Sequence, residues 1–217
     1  MTKNNCSCCC FGRLFDKTIL QEAVQRLMGC NHCPSRKESK NMTDDKETDH
    51  QKDCVHMVVN NRPYSLAIGD MHGAVRPADT LAHTLRENLR LTGTKIGCDQ
   101  GSCGSCTVIM DGKPVLSCMT LTVECDGCQI TTIEGLEDPE TGRLHPLQQA
   151  FIDHSAFQCG FCTPGILMSA KALLDREPNP NAETVKQALA GHYCRCITHY
   201  EVVEAVLDAA KKDMSHD

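Results

Sequence analysis

Tryptophan is missing from this 217-residue chain, and phenylalanine and tyrosine number only five and three. Large aromatic side chains usually carry much of a small core. The interior must therefore come from Ala, Leu, Val, Ile and Met, and something else is expected to staple the fold. No run approaches the roughly 18 apolar residues of a membrane-spanning helix, so no span is expected. No basic stripe is present either, and the formal charge is −6, which argues against nucleic acid as a partner. The opening Met1-Thr2-Lys3-Asn4-Asn5-Cys6 lacks the apolar core and cleavage site of a secretory leader, so a cytoplasmic location is expected.

What the chain does have is cysteine, 17 residues of it. In a secreted protein such richness means disulfides; in a cytosolic one it means metal or redox chemistry. An odd count cannot be used up by internal pairing. The metal-binding reading is the stronger one.

Residues 1–34 form a cysteine-rich head. Cys6, Cys8, Cys9 and Cys10 precede Phe11, Leu14, Phe15, Leu20, Val24, Leu27 and Met28, whose spacing of threes and fours predicts a helix up to Gly29, and Cys30 and Cys33 follow. Residues 35–53 hold only Met42 as a sizeable apolar side chain and read as a flexible linker. From Val55 the pattern is one of strands: Val55–Val59 and Tyr64–Ile68 around the polar turn Asn60–Pro63. Asp79 or Thr80 can cap a helix through Leu81, Leu85 and Leu89 to near Gly93. Strands at Thr107–Met110 and Val115–Leu116 flank Asp111-Gly112, a strong hairpin signal, and further strands are expected near Leu121–Val123 and Ile130–Ile133. The remainder reads as four helices: Leu147–His154, Pro164 to about Leu174, a third capped by Asn181 and running to Gly191, and Glu201–Lys211. A sheet-rich half (54–136) followed by a helical half (137–217) predicts an α+β chain of two domains.

Two cysteine constellations carry the chemistry. Cys98-x4-Cys103-x2-Cys106, closed by Cys118, has the spacing of plant-type [2Fe–2S] ferredoxins. A binuclear cluster needs four thiolates around it and inward-pointing N–H groups to offset its negative charge. Gly97, Gly101 and Gly104 let the loop curl that way, Ser102 and Ser105 are small, and the Asp111-Gly112 hairpin can return Cys118 to the loop. Buried free thiols are the weaker reading. The second set pairs Cys159-x2-Cys162, just before a helix, with Cys194-x-Cys196, just after one, a placement that favours thiolate and a four-sulfur pocket. On spacing alone, a [2Fe–2S] cluster and a structural zinc both suit it.

From about Val55 to Ala210 the chain resembles the small iron–sulfur subunit of the molybdenum hydroxylases, the xanthine dehydrogenase, aldehyde oxidoreductase and carbon monoxide dehydrogenase family. The resemblance is carried by Leu91–Cys98, Gly101–Val108, Asp111–Cys118, Thr132–Leu136, His145–Phe151, Gln158–Gly165 and Cys194–Cys196. It implies a β-grasp, ferredoxin-like domain followed by a four-helix bundle, with one [2Fe–2S] cluster on each four-cysteine set. It further implies a large partner subunit carrying a molybdopterin–metal cofactor, a medium subunit carrying FAD, and a dimer of heterotrimers. Gln158 corresponds to a residue that contacts the pterin. The implied role is one-electron relay, with no substrate-converting site on this chain. A free-standing two-cluster carrier and a zinc-stapled interaction protein are the alternatives.

The chain departs from the family in three places. Ile197-Thr198-His199-Tyr200 stands where Thr-Gly-Tyr is common, placing Thr198 at the Gly and His199 at the Tyr position; His199 is expected to be structural rather than a ligand. Cys125 and Cys128 add a C-x2-C in what reads as a tight hairpin and are expected to be free thiols. The head lies outside the resemblance. Its Cys6, Cys8, Cys9, Cys10, Cys30 and Cys33 supply enough soft ligands for a third Fe–S or zinc centre, reactive or partner-covered thiols being the alternative.

Overall fold

The computed structural model describes residues 54–197 and 199–213, which belong to one compact unit. The head cysteines, the linker and Thr198 lie outside the described residues.

β1 (Cys54–Val59) buries Val55, Met57 and Val59 by strict alternation. It turns through Asn60 and Asn61, both at positive φ (49° and 62°), into antiparallel β2 (Arg62–Ala67). Two left-handed residues make the tight turn whose twist suits a hairpin. The turn is thus shorter than the sequence suggests, and Pro63 falls inside β2. It is tolerated there because β2 is an edge strand. The Asp111-Gly112 turn (φ 49° and 77°) joins β3 (Thr107–Met110) to β4 (Lys113–Leu116) as expected. β5 (Gln129–Thr131) pairs parallel with β1 and antiparallel with β3, giving the order β2-β1-β5-β3-β4. The other edge strand, β4, carries Pro114.

Two elements depart from the sequence reading. The helix after Thr80 has one α-helical turn, α1 (Leu81–His83), then a π-helical stretch at Thr84–Asn88. It ends short of Gly93 because the Leu89 and Leu91 N–H groups bond back to the Thr84 and Leu85 carbonyls and Arg90 takes φ 60°. The expected strand near Leu121–Val123 is instead a 3-10 turn, Thr122–Cys125, with one isolated bridge between Thr80 and Leu121. Its backbone is committed elsewhere: the Thr122 N–H donates to the Asp79 carbonyl, and the Leu81 N–H to the Thr120 carbonyl. Buried Thr84 and Thr122 then join hydroxyl to hydroxyl at 2.7 Å.

Four helices follow. α2 (Pro146–Asp153) is capped by His145, whose Nδ1 accepts from the Leu147 N–H while the Gln148 side chain accepts from the His145 N–H. α3 (Thr163–Arg176) starts with Pro164, and α4 (Ala182–Leu189) is capped by Asn181. α5 (His199–Asp213) closes the set. α3 is buried nearly all round, as a central helix must be. Ile166, Ala170 and Leu173 face a core shared with Phe151, Val185, Leu189, Val202 and Val206, whereas Met168 and Ala172 meet Ile109 of β3 and Leu136. A separate core under the sheet gathers Val55, Met57, Val59, Leu81, Leu85, Val108 and Ile130. α3 therefore joins the sheet to the helices, with Cys162 at its start and the Gly104 carbonyl against its Gly165.

Candidate metal centres

The first set is built on the loop from Gly97 to Cys106. Asp99, Gly101 and Gly104 take φ of 53°, 75° and 74°, which curls the loop around its sulfurs. The Ser102 N–H points at the Cys98 sulfur (3.2 Å), and the Cys103 thiol donates to the Ser105 hydroxyl at 3.5 Å. Cys118 is delivered by a 3-10 turn, Ser117–Met119, directly after β4. Ser117 fixes that turn to the loop: its hydroxyl and N–H both donate to the Cys106 carbonyl, at 2.6 and 3.4 Å. The thiols of Cys98 and Cys103 interact, as do those of Cys106 and Cys118. Backbone N–H groups of Gln100 and Ser102 pull the Cys98 thiol down to about 7; burial pushes Cys118 up to about 11, helped by the Cys106 thiol.

The second set joins the two ends of the helical region. Gly160 (φ 79°) bends the chain between Cys159 and Cys162, and Cys162 stands at the N-cap of α3. Cys194 and Cys196 arrive from the loop after α4, with the Cys196 N–H directed at the Cys194 sulfur (3.4 Å). The Cys196 and Cys159 sulfurs lie 3.5 Å apart, and the Cys162 and Cys194 thiols hydrogen-bond. Cys162 is buried, which pushes its thiol up to about 12. The helix-start argument for thiolate therefore loses to desolvation at Cys162. It fares better at exposed Cys159, held below its ordinary value chiefly by the Phe161 N–H. Cys194 is also lowered: burial works against it, but the Ile197 N–H and the Cys162 thiol outweigh that cost.

Each set thus offers four sulfurs as two interacting pairs. That arrangement suits two metals bridged by sulfide, whereas a lone zinc asks for four ligands about one point. The inward N–H groups at Cys98, Cys159 and Cys194 are of the kind an anionic cluster requires. The residues present fit two [2Fe–2S] clusters.

The two sets meet across one short contact that sequence reasoning missed. His192 is buried (7 % exposed), its Nε2 lying 2.7 Å from Ser169 Oγ of α3, and its Nδ1 is buried with no hydrogen-bond partner. Burial, with exposed His199 adding a little, pulls its pKa down to about 4, so the ring is neutral at pH 7. A Cβ on Gly104 would fall 2.5 Å from that Nδ1, and one on Gly165 would fall 2.2 Å from the Gly104 carbonyl oxygen. The Tyr193 N–H donates to the Cys103 carbonyl at 3.0 Å. The sequence signal for this contact is the glycine at 104, which loop curvature alone also accounts for.

The other candidates separate cleanly. Gln158 is exposed beside Cys159, and Phe157, Phe161, Tyr193 and Tyr200, each within a few residues of a cysteine of this set, are exposed as well. His199 is exposed at the start of α5. Cys125 ends the 3-10 turn, wholly buried in the sheet core, and bonds through a turn (Cys128 N–H to Cys125 carbonyl) rather than across paired strands. Both are free thiols, and burial pushes both up, Cys125 to about 12.

Comparison with known proteins adds to this geometry. Residues 72–141 match the family model of a 2Fe-2S iron-sulfur cluster binding domain, and 132–207 that of a [2Fe-2S] binding domain. The nicotine 6-hydroxylase small subunit of Paenarthrobacter nicotinovorans is 53 % identical over 136 residues, 63 % of this chain and 81 % of that one. The aldehyde oxidoreductase of Megalodesulfovibrio gigas is 50 % identical over 133 residues, 60 % of this chain but only 14 % of that longer polypeptide. Among solved structures, quinoline 2-oxidoreductase from Pseudomonas putida 86 superposes with a TM-score of 0.68 at 40 % identity, over 76 % of this chain and 98 % of that one.

Proposed function

Because the chain belongs to the small [2Fe–2S] subunits of the molybdenum hydroxylases, we propose that it relays single electrons between a molybdopterin-bearing large subunit and a flavin or other acceptor. The observation that carries this reading is the presence of two four-cysteine sets in one compact unit, their loops bonded through the Tyr193 N–H and the Cys103 carbonyl. Cys98, Cys103, Cys106 and Cys118 hold one cluster, and Cys159, Cys162, Cys194 and Cys196 the other. Each cluster supplies one-electron redox chemistry, tuned by the hydrogen bonds and burial described above.

The finer architecture is a β-grasp domain over 54–136 and a four-helix bundle over 137–217. The two family matches, which hand over between 132 and 141, support that division. The face around Cys159 and Cys196 meets the large subunit, with Gln158 toward the pterin. It is the face where Phe157, Phe161, Tyr193 and Tyr200 are left exposed, and surface aromatics of this kind anchor interfaces. The ferredoxin-like set then faces an FAD-binding medium subunit, in a cytoplasmic dimer of heterotrimers. The fused arrangement in the relative from M. gigas, where the matched stretch is a small part of one polypeptide, fits a chain built to work against a larger neighbour. No helix among the described residues is long and apolar enough to cross a membrane.

The test is isolation of the intact complex followed by metal analysis and electron paramagnetic resonance of the reduced form. We expect molybdenum in the complex, about four irons per copy of this chain, and two distinct binuclear signals. Cys118→Ser should remove one signal and Cys159→Ser the other. A stable lone chain with both signals would favour a free-standing carrier, and zinc in place of iron would overturn the reading.

A further inference from the structure

Two cysteines lie outside both four-sulfur sets and sit at the two ends of one turn. Cys125, Asp126, Gly127 and Cys128 are closed by the Cys128 N–H, which donates to the Cys125 carbonyl at 3.1 Å. Asp126 takes φ −63° and ψ 125°, and Gly127 takes φ 78°, the pattern of a type II turn with glycine at its third position. Such a turn brings its first and last Cα atoms within about 7 Å, and a disulfide spans roughly 4.4–6.8 Å. Both side chains pack on the same core under the sheet, Cys125 wholly buried and Cys128 half-buried. Their thiols are near enough for charge on Cys128 to raise Cys125.

The turn is held in place by bonds that a cross-link would leave untouched. The Gly127 N–H donates to the His56 carbonyl at 2.6 Å, and the Val58 N–H to the Cys128 carbonyl at 3.0 Å. The His56 N–H donates to the Asp126 carboxylate at 2.8 Å. All three tie the turn to β1 through groups other than sulfur. The thiols have lighter ties: Cys125 donates to the Leu121 carbonyl at 3.4 Å, and Cys128 bonds to the Asp111 carboxylate. Burial raises both thiols, and Asp111 and Asp126 add to it at Cys128. The reduced pair therefore gains no stability from a thiolate at neutral pH, the gain that makes some C-x2-C disulfides strongly oxidising. Access gives the chemistry a direction. A soluble reagent can meet Cys128, whereas Cys125 can reach only its neighbour.

We propose that Cys125 and Cys128 form a dithiol–disulfide site, oxidised by a small soluble disulfide of the glutathione class and restored by a dithiol reductant. In the first step the Cys128 sulfur attacks one sulfur of the reagent and the reagent's S–S bond breaks. A mixed disulfide forms, and half of the reagent leaves as a thiol with the Cys128 proton. In the second step the Cys125 sulfur attacks the Cys128 sulfur and the mixed disulfide breaks. The other half leaves as a thiol with the Cys125 proton. Two protein thiols are oxidised, and one reagent disulfide is reduced to two thiols. None of the eight cysteines of the two sets takes part, so the site stands whatever metal those sets hold.

The test equilibrates the intact, metal-loaded protein with oxidised glutathione at mildly alkaline pH. The chain is then acid-quenched, denatured in excess maleimide, and the peptide spanning Cys125 and Cys128 is read by mass spectrometry. We expect that stretch to be two hydrogens lighter and unlabelled at both cysteines, with metal content unchanged. Dithiothreitol should restore both labels. Cys125→Ser keeps a hydroxyl for the Leu121 carbonyl and should leave Cys128 halted as its glutathione adduct. Cys128→Ser should leave Cys125 a thiol, because the reagent cannot reach it. The wild-type reading decides the matter if either variant fails to fold. Wild-type protein labelled at both cysteines after equilibration overturns the site, as does a lasting glutathione adduct on Cys128 beside a free Cys125. A disulfide that appears only in step with loss of metal overturns it too, because it would then belong to the unfolded chain.

Discussion

Gly165→Ala should destabilise the protein even though alanine is the better helix former. Gly165 is the third residue of α3, where the propensity gain is at most ~1 kcal/mol. Against it stands a steric cost. The new Cβ would lie 2.2 Å from the Gly104 carbonyl oxygen and 3.0 Å from Ser105 backbone atoms, whereas real Cβ contacts essentially never fall below 3.0 Å. Helix or loop must retreat by the difference, 3.0 − 2.2 = 0.8 Å. Neither is free to do so. Met168 and Ala172 hold α3 to Ile109 and Leu136, while Ile166 and Leu173 hold it to the helical core. Overpacking costs about 1–3 kcal/mol, and a clash with backbone on the far side falls in the upper part of that range, about 2–3 kcal/mol, which leaves a net loss of roughly 1–2 kcal/mol. For a domain of this size that is a fall of about 2–8 °C in Tm. The assay is thermal melting of the cluster-loaded protein by circular dichroism at one fixed scan rate, with Gly191→Ala as control, since nothing lies within 4 Å of the Cβ it would add. A Gly165→Ala protein as stable as wild type would refute the close approach of α3 to the cysteine loop.

Other perturbations have equally direct outcomes. Thr84→Val should cost about 1–3 kcal/mol in urea unfolding by stranding the buried Thr122 hydroxyl, and Thr84→Val/Thr122→Val should recover part of it; a double variant worse than the sum of the singles would speak against the pair. Burial raises the Asp79 carboxyl, but hydrogen bonds from the Arg76 N–H and guanidinium outweigh it and lower its pKa overall. The stability this supplies is present above the unfolded carboxylate value of about 3.9 and is lost as pH falls through the lower folded value. Asp79→Asn should therefore cost stability at neutral pH and converge on wild type in acid; reading the two proteins side by side at each pH cancels the acid lability of the clusters. A constant gap across the acid range would argue against the pairing. Cys125, with its thiol pushed up to about 12, should resist alkylation at pH 8 until the chain is unfolded, as followed by peptide mass spectrometry. Labelling at the rate of denatured protein would show that the sheet core opens.

Much of this was visible in the sequence because it is written in local code. The Asp111-Gly112 turn, the Asn181 cap, Pro164 at the start of α3 and the alternation of Val55, Met57 and Val59 each act over a few residues. The cysteine spacings within each pair are also local, and so marked out both candidate sets. What was not legible depends on contacts distant in sequence. Thr122 looked like a strand residue, but its N–H is claimed by Asp79 and its hydroxyl by Thr84. Gly93 looked like a helix stop, whereas a Cβ there would strike Ile133 at 2.3 Å, so its smallness serves packing between segments. His192 has no periodic partner at all; its role follows only from Ser169 and Gly104 arriving beside it.

The two edge strands have a consequence for the life of the chain before it reaches its neighbours. β2 and β4 each place a cation first and a proline second: Arg62-Pro63 at one margin, Lys113-Pro114 at the other. A proline offers no N–H to an incoming strand, and a cation at the same end resists a dry stack, so each margin is a poorer template for another copy. Edge-to-edge pairing of two copies, the usual hazard of an open sheet, is thereby disfavoured at both margins of the described sheet.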